Sequence, residues 1–530
     1  MNKKLMNKKK FFDLITKDTK ARRFTKWFVY SRVVLTFLLI LLQIILFLMF
    51  ILWLNQYIEY YFAANIFLSL IFMGYLSNCK GKNEFKIAWM IPTVVFPLFG
   101  IAAYIMYNIN IGGLSLRRKV SEVKRITNEL QPSVFETQKK LEAFPEVADL
   151  GSYFIRTGNF HAYTDSSLKY FPSGEDFYKD LIPELEAAKE FIFLEFFIVG
   201  IDESWNKILD VLSRKVREGV EVRLLYDSVG SIMVASRSYQ KYLADLGIKS
   251  HIFIPLIPFF STRLNNRDHR KIIVIDGKTA YTGGLNLSNE YFNYGKNRFA
   301  YWKDNAIKIK GPAIQSFTTM FLQDWNLEVK ETDDYKKYIQ RDYELCNSAG
   351  LVIPYGDDAF NNYDIAEDTY LYILGKARHY VHITTPYLLV DNQMLSSLIF
   401  AANRGLDVSL VVPSRPDHYI TYCITRVFLR DLIVAGVNVY LYNPGFIHAK
   451  TFISDDSMAT VGSVNLDYRS FFHHFECGTF IYKNQEIQAL EDDFKDIVAN
   501  STKLTLAVYK KIPLFQRFCG HLFKIFAPLM

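Results

Sequence analysis

The stretch His269-Arg270-Lys271-Ile272-Ile273-Val274-Ile275-Asp276, followed by Gly283-Gly284-Leu285-Asn286, decides the fold because it occurs twice. The second copy is His448-Ala449-Lys450-Thr451-Phe452-Ile453-Ser454-Asp455, followed by Gly462-Ser463-Val464-Asn465. In each copy the Lys follows the His by two residues, the Asp by seven and the Asn by seventeen. β-Branched residues continue each motif, so His and Lys, two apart, face one side of a strand. Asp276-Gly277 turns the chain and Ala280-Tyr281-Thr282 runs back as a second strand. By that hairpin Asn286 returns beside His269 and Lys271, and Asn465 beside His448 and Lys450. An imidazole, an ammonium and an amide are what a phosphodiester site needs: a nucleophile or proton donor, a cation for the phosphoryl oxygens, and a neutral donor. One His-x-Lys is ordinarily a surface feature. Two with identical offsets imply two half-sites.

The surroundings of the motif repeat as well. In the first half, 177–189 reads as a helix, 191–199 as a buried strand, 205–218 as a helix and 220–226 as a strand. In the second half the order returns as a helix at 368–379, a strand at 380–390, a helix at 393–404 and a strand at 408–413. Leu246-Gly247-Ile248 with Pro255 parallels Ala435-Gly436-Val437 with Pro444. The reading is an α/β protein of two similar lobes, 151–330 and 345–505, related by a pseudo-twofold. Each lobe is expected to hold a mostly parallel sheet flanked by helices. Asp202 and Asp391, which end the first-strand segment of each lobe, are expected to cap or turn.

Ahead of the lobes the composition is that of a membrane module at 33–107. Residues 1–32 carry eleven Lys and Arg against two Asp, and Val33–Leu54 is uncharged, the pattern of a retained membrane anchor. Two further stretches, 57–76 and 87–107, are long enough to cross. The third holds Pro92, Pro97 and Gly100, which kink it or let it re-enter. Counting two spans or three puts the lobes on opposite faces of a multi-pass cell-membrane protein, and the basic cluster Arg117, Arg118, Lys119, Lys124, Arg125 favours the cytoplasmic one. Residues 108–150 read as a partly helical linker. The tail 506–530 reads as amphipathic and basic, suited to a lipid interface or to docking on its own domain. Five scattered cysteines and a net charge of +8 suggest neither a disulfide framework nor a zinc site, and fit anionic lipid or phosphodiester partners.

The doubled motif resembles the phospholipase D superfamily, and the fuller layout resembles its bacterial cardiolipin synthases. Ala88-Trp89, Pro97-Leu98-Phe99-Gly100, Gly311-Pro312-Ala313, Asp324-Trp325 and Thr384-Thr385-Pro386-Tyr387 add to the likeness. The resemblance implies phosphatidyl transfer between two phosphatidylglycerol molecules, giving cardiolipin and glycerol through a phosphohistidine. His269 is then the nucleophile and His448 the acid/base, and Lys271, Lys450, Asn286 and Asn465 hold the phosphoryl oxygens. It also implies an acidic residue behind each histidine, with Glu476 for His448 and Asp304 for His269. Asp276 and Asp455 complete the catalytic motifs and are expected to order them. His473 and His474 flank the site. No metal or cofactor is expected, since the sequence shows no clustered carboxylates of a two-metal centre. The alternatives are a hydrolase or a transphosphatidylase with another acceptor, then a nuclease, for which no basic, aromatic stripe stands out. A catalytically silent scaffold is a further alternative. The oligomeric state is left open.

Overall fold

The strand β2 (Phe191–Phe196) is buried along its whole length and is the axis on which the first lobe is laid down. The protein is described here from a computed structural model covering residues 38–108, 113–255, 266–329, 334–339 and 341–530. The basic segment 1–32 and residues 33–37 of the first apolar stretch lie outside the described residues, as does part of the link between the lobes. The other strands of the first lobe are β1 (Ser167–Phe171), β3 (Glu221–Asp227), β4 (Lys249–Phe253), β5 (Lys271–Ile275), β6 (Thr279–Gly283), β7 (Trp302–Lys303) and β8 (Ala306–Lys310). Their sheet runs β1-β8-β6-β5-β2-β3-β4.

The second lobe contains β9 (Leu351–Asp357), β10 (Tyr380–Thr384), β11 (Leu388–Leu389), β12 (Asp407–Pro413), β13 (Asn438–Tyr442) and β14 (Phe446–Ile447). It continues with β15 (Thr451–Ser454), β16 (Met458–Gly462), β17 (Leu466–Asp467), β18 (Glu476–Tyr482) and β19 (Ser501–Lys503). Its large sheet runs β19-β13-β12-β10-β15-β16-β18-β9, the first lobe's order with one added edge strand. The expectation of mostly parallel sheets needs correction, because both are mixed. β2, β3 and β4 are parallel, as are β10, β12 and β13, whereas β5 and β15 enter antiparallel to β2 and β10. The motif hairpin is the cause: once its first strand pairs antiparallel with β2, the returning strands β6, β8 and β1 extend the sheet antiparallel as well.

Helices cover the sheets at nearly the expected positions. Glu203–Arg217 is capped by Asp202, which accepts from Trp205 N at 3.1 Å, and Asn392–Asn403 by Asp391, which accepts from Met394 N at 2.9 Å. Such caps contribute about 1 kcal/mol each. Each fully buried Phe or Ile between helix and sheet, such as Phe193 and Ile273, contributes about 1.5–3 kcal/mol. Both lobes belong to one compact unit, 116–255 with 265–524.

The other unit holds the apolar helices and residues 525–530. Among the described residues one helical stretch, Asn55–Asn78, is long and apolar enough to cross a membrane, and Leu38–Leu52 is a shorter apolar helix. These two run antiparallel, with Phe50 4.7 Å and Phe47 6.3 Å from the Tyr61 ring. The third stretch is two helices, Asn83–Val95 and Pro97–Asn108, broken at Phe96, because Pro97 has no N–H to continue the first ladder. They fold back on each other, with Gly100 packed so closely on Thr93 that a Cβ would meet its backbone at 2.5 Å, and Trp89 edge-on to Tyr104 at 5.6 Å.

Candidate active site

β5 and β15 place His269 and His448 at the ends of their strands, facing the boundary between the lobes. The two backbones are stitched across that boundary. His269 N donates to Phe475 O at 2.8 Å, and His448 N donates to Lys303 O at 2.7 Å. β7 pairs in parallel with β14 just beyond. Each histidine is thereby bonded to the residue immediately before an acid of the opposite lobe, and the side chains follow. His269 Nδ1 lies 2.8 Å from Glu476 Oε1, and His448 Nδ1 lies 2.7 Å from Asp304 Oδ2. The pairing is therefore crossed relative to the sequence expectation, which gave Glu476 to His448 and Asp304 to His269. With each Nδ1–H donating to its carboxylate, Nε2 of each ring is left for attack or proton transfer.

The carboxylates are held differently. Ser463 and Ser470 hydroxyls both donate to Glu476, Ser470 at 2.7 Å. Asp304 accepts from Asn305 N at 2.9 Å and Trp302 Nε1 at 3.4 Å. In the first motif Gly284 replaces the serine, and a Cβ there would collide with Asp304 Oδ1. Sequence reading missed Ser463 and Ser470. The Gly-Ser of the second motif, where the first has Gly-Gly, was the available signal for Ser463.

Lys271 and Lys450 are buried, each ammonium donating to the carbonyl of its own motif's histidine. Lys450 Nζ also lies 2.7 Å from His448 Nδ1. Asn286 accepts from Ile198 N at 3.0 Å and bonds to the Tyr291 hydroxyl. Asn465 bonds to Asp467 and keeps a buried Oδ1 with no hydrogen-bond partner. Tyr291 and Trp302 pack against His448, and Phe197 and His474 against His269, with ring centroids 5.1–5.7 Å away. Asp276 and Asp455 lie at the far ends of the motif strands and do not reach the histidines. Asp276 accepts from Lys189, Glu190 and Phe191 N, and Asp455 from Arg378, His379 and Tyr380 N, all at 2.7–3.0 Å. They anchor the neighbouring strands β2 and β10 to the motif turns.

The electrostatics follow from packing four potential cations in a buried site. Burial, then the Lys450 charge, pushes His448 down to about 4 against the pull of Asp304. Burial and the Lys271 and Lys450 charges hold His269 well below its ordinary value. Burial lowers Lys271 to about 8 and Lys450 to about 7. Burial alone would raise Asp304, but the His448 and Lys450 charges outweigh it and keep the carboxyl below its usual range. An anionic phosphodiester between the lysines would reverse the trend for both rings.

Two groups of three close, buried ligand-type residues occur among the described residues: His269, His474, Glu476, and Glu195, Asp268, Asp324. The first spends His269 Nδ1 and Glu476 on each other. The second is a carboxyl cluster not evident from the sequence, and Arg270 serves it, bonding Asp324 at 3.0 Å.

Two imidazoles, each backed by a carboxylate from the opposite lobe and flanked by Lys and Asn, make a two-lobed phosphodiester transferase. Residues 181–325 and 370–498 match the family described as cardiolipin synthase, PLD-like domain. A cardiolipin synthase of Alkalihalophilus pseudofirmus is 31% identical over 473 residues, covering 87% of this chain and 92% of that one. An uncharacterized protein of Streptococcus mutans is 38% identical over 460 residues, covering 86% and 99%. A phosphatidylserine synthase structure from Haemophilus influenzae shares the fold at 17% identity and TM-score 0.54, covering 68% of this chain and 95% of that one. The chain belongs to the cardiolipin synthase family of phospholipase D-like enzymes, and it is a phospholipid phosphatidyltransferase.

Proposed function

We propose that the enzyme joins two phosphatidylglycerol molecules into cardiolipin and glycerol through a phosphohistidine. His269 Nε2 attacks phosphorus, the bond to the glycerol oxygen breaks, and His448, which takes up a proton at Nε2 when the anionic diester binds beside it, delivers that proton to the departing oxygen. The free hydroxyl of a second phosphatidylglycerol then gives its proton to His448 and attacks phosphorus, releasing His269. Lys271, Lys450, Asn286 and Asn465 stabilise the phosphoryl oxygens, and Glu476 and Asp304 fix the tautomers. The observation that carries this reading is the crossed pair of His–carboxylate bonds, which engages Nδ1 of each ring and leaves Nε2 of one ring from each lobe for attack and for proton transfer. The relatives named cardiolipin synthase support cardiolipin as the product. Incubating the purified enzyme with phosphatidylglycerol alone should yield cardiolipin and glycerol in equal amounts. Phosphatidic acid as the sole lipid product would replace the reading with a hydrolase.

The antiparallel apolar helices Leu38–Leu52 and Asn55–Asn78 support a membrane-embedded enzyme. The hairpin of Asn83–Val95 with Pro97–Asn108 supports a re-entrant segment that returns to the face it left. With the basic residues 1–32 on the cytoplasmic side, two crossings put both lobes there.

A further inference from the structure

The chain's last helix, Leu514–Lys524, takes no part in the phosphoryl chemistry. It packs against the helix Tyr419–Val434 so closely that a Cβ on Gly520 would lie 2.5 Å from the Cys423 carbonyl. Lys524 sits 4.1 Å over the Phe428 ring and 3.6 Å from Asp431, while Gln516 bonds Cys423 and Cys519 neighbours Tyr419. The two helices therefore run in the same direction, with 516–520 beside 419–427 and 524 beside 428–431. This docking uses one side only. On the other, Leu514, Phe515, Phe518 and Leu522 remain 75%, 69%, 62% and 45% exposed, a spacing that puts them on one face. A water-facing helix has no reason to hold two phenylalanines and two leucines in that array.

Three observations say what covers it. Residues 503–530 carry Lys503, Lys510, Lys511, Arg517 and Lys524 and no Asp or Glu, so the partner is anionic. Lys524 runs directly into residues 525–530, which belong to the unit of apolar helices and pack there through Leu529 against Phe72, Leu76 and Trp89. Third, the helix Tyr419–Val434 starts beside Asp417. Asp417 accepts from the Tyr387 hydroxyl and acts on Tyr291, the ring against His448. Because the helices are parallel, Leu514 and Phe515 lie at that same end.

We propose that this face lies in the head-group layer of an anionic phospholipid leaflet and seats the catalytic lobes there, so that a head-group phosphodiester enters beside Tyr387 and Asp417. The inference rests on the reading of the substrate as a membrane phospholipid. An apolar face with flanking cations is what interfacial binding requires.

The test uses the full-length chain reconstituted in vesicles of phosphatidylglycerol and phosphatidylcholine. In Phe518→Trp, the difference emission relative to the parent should be blue-shifted and quenched by brominated phosphatidylcholine. In a second variant, L514S/F515S/F518S, cardiolipin formation in vesicles should fall about tenfold, while turnover of the same lipid in detergent micelles stays within about twofold of the parent. Difference emission that the brominated lipid leaves unquenched would overturn the proposal, and so would undiminished vesicle turnover. Equal losses in vesicles and micelles would overturn it too, by assigning the face to the fold. Unquenched emission of Phe518→Trp together with loss of self-association in L514S/F515S/F518S would overturn it by assigning the face to a second copy. A parent that forms no cardiolipin at all would count against the substrate reading, while the quenching, which needs no turnover, still decides the helix.

Discussion

Ser463 and Gly284 occupy the same place in the two motifs and have opposite tasks. Ser463 supplies a donor to Glu476, whereas Gly284 leaves room for Asp304. Ser463→Ala should lower kcat about tenfold with KM nearly unchanged, because an orienting bond to the carboxylate behind His269 is lost while the lysines proposed to bind phosphate are untouched. Gly284→Ser should cost more, about a hundredfold or beyond, since the new Cβ must displace the carboxylate that sets the His448 tautomer. Steady-state kinetics on both variants, with circular dichroism to establish folding, would check the order. Finding Gly284→Ser as active as the parent would mean that Asp304 does not govern His448. The histidines, lysines and asparagines were legible in the sequence because their offsets repeat. Which acid serves which histidine was not, because sequence distance favours the acid of the same lobe. Here the crossing is decided by backbone bonds from His269 to Phe475 and from His448 to Lys303.

At the scale of the element, the motif aspartates show how a residue can be diagnostic of a site without touching it. Asp276 and Asp455 each gather three backbone N–H groups at the start of β2 and β10. Asp276→Asn should therefore destabilise the fold by about 1–3 kcal/mol, read as a lowered Tm, with turnover per folded molecule held within a few-fold of the parent. A turnover loss matching that of His269→Ala at unchanged Tm would return Asp276 to the chemistry. The mixed sheet follows from the same hairpin: its turn was readable from Asp276-Gly277, but the antiparallel run of β6, β8 and β1 it imposes depends on where β5 docks. The apolar stretch 87–107 likewise read as long enough to cross, and only the packing of Gly100 on Thr93 shows that it doubles back. That hairpin predicts two crossings. A fluorescent-protein fusion after Met530 should then be fluorescent, whereas an alkaline phosphatase fusion at the same place should be inactive. The reverse pattern would require a third crossing.

For the whole molecule, the crossed bonds make the active site and the lobe boundary one structure, so protonation of the site should register in global stability. His448 is held neutral in the folded state, at about 4, while in the unfolded chain it titrates near the ordinary 6.5. Between these values the unfolded state binds the extra proton. The contribution of this group is therefore fully present above about pH 6.5 and is lost as pH falls toward 4. Asp304, held below its usual range, adds in the same direction at lower pH, losing stability as it protonates. Buried carboxyls such as Asp357, raised to about 8 by burial, act in the opposite sense, so the total slope does not isolate the site. The difference between parent and His448→Gln does. Gln keeps an amide donor for Asp304 but cannot titrate, so between pH 6.5 and 4.5 the variant should lose about 2 kcal/mol less stability than the parent. Denaturant unfolding at several pH values would measure this. Parallel curves for the two proteins would mean that His448 is already protonated in the fold and that the buried, lysine-flanked site does not hold it neutral.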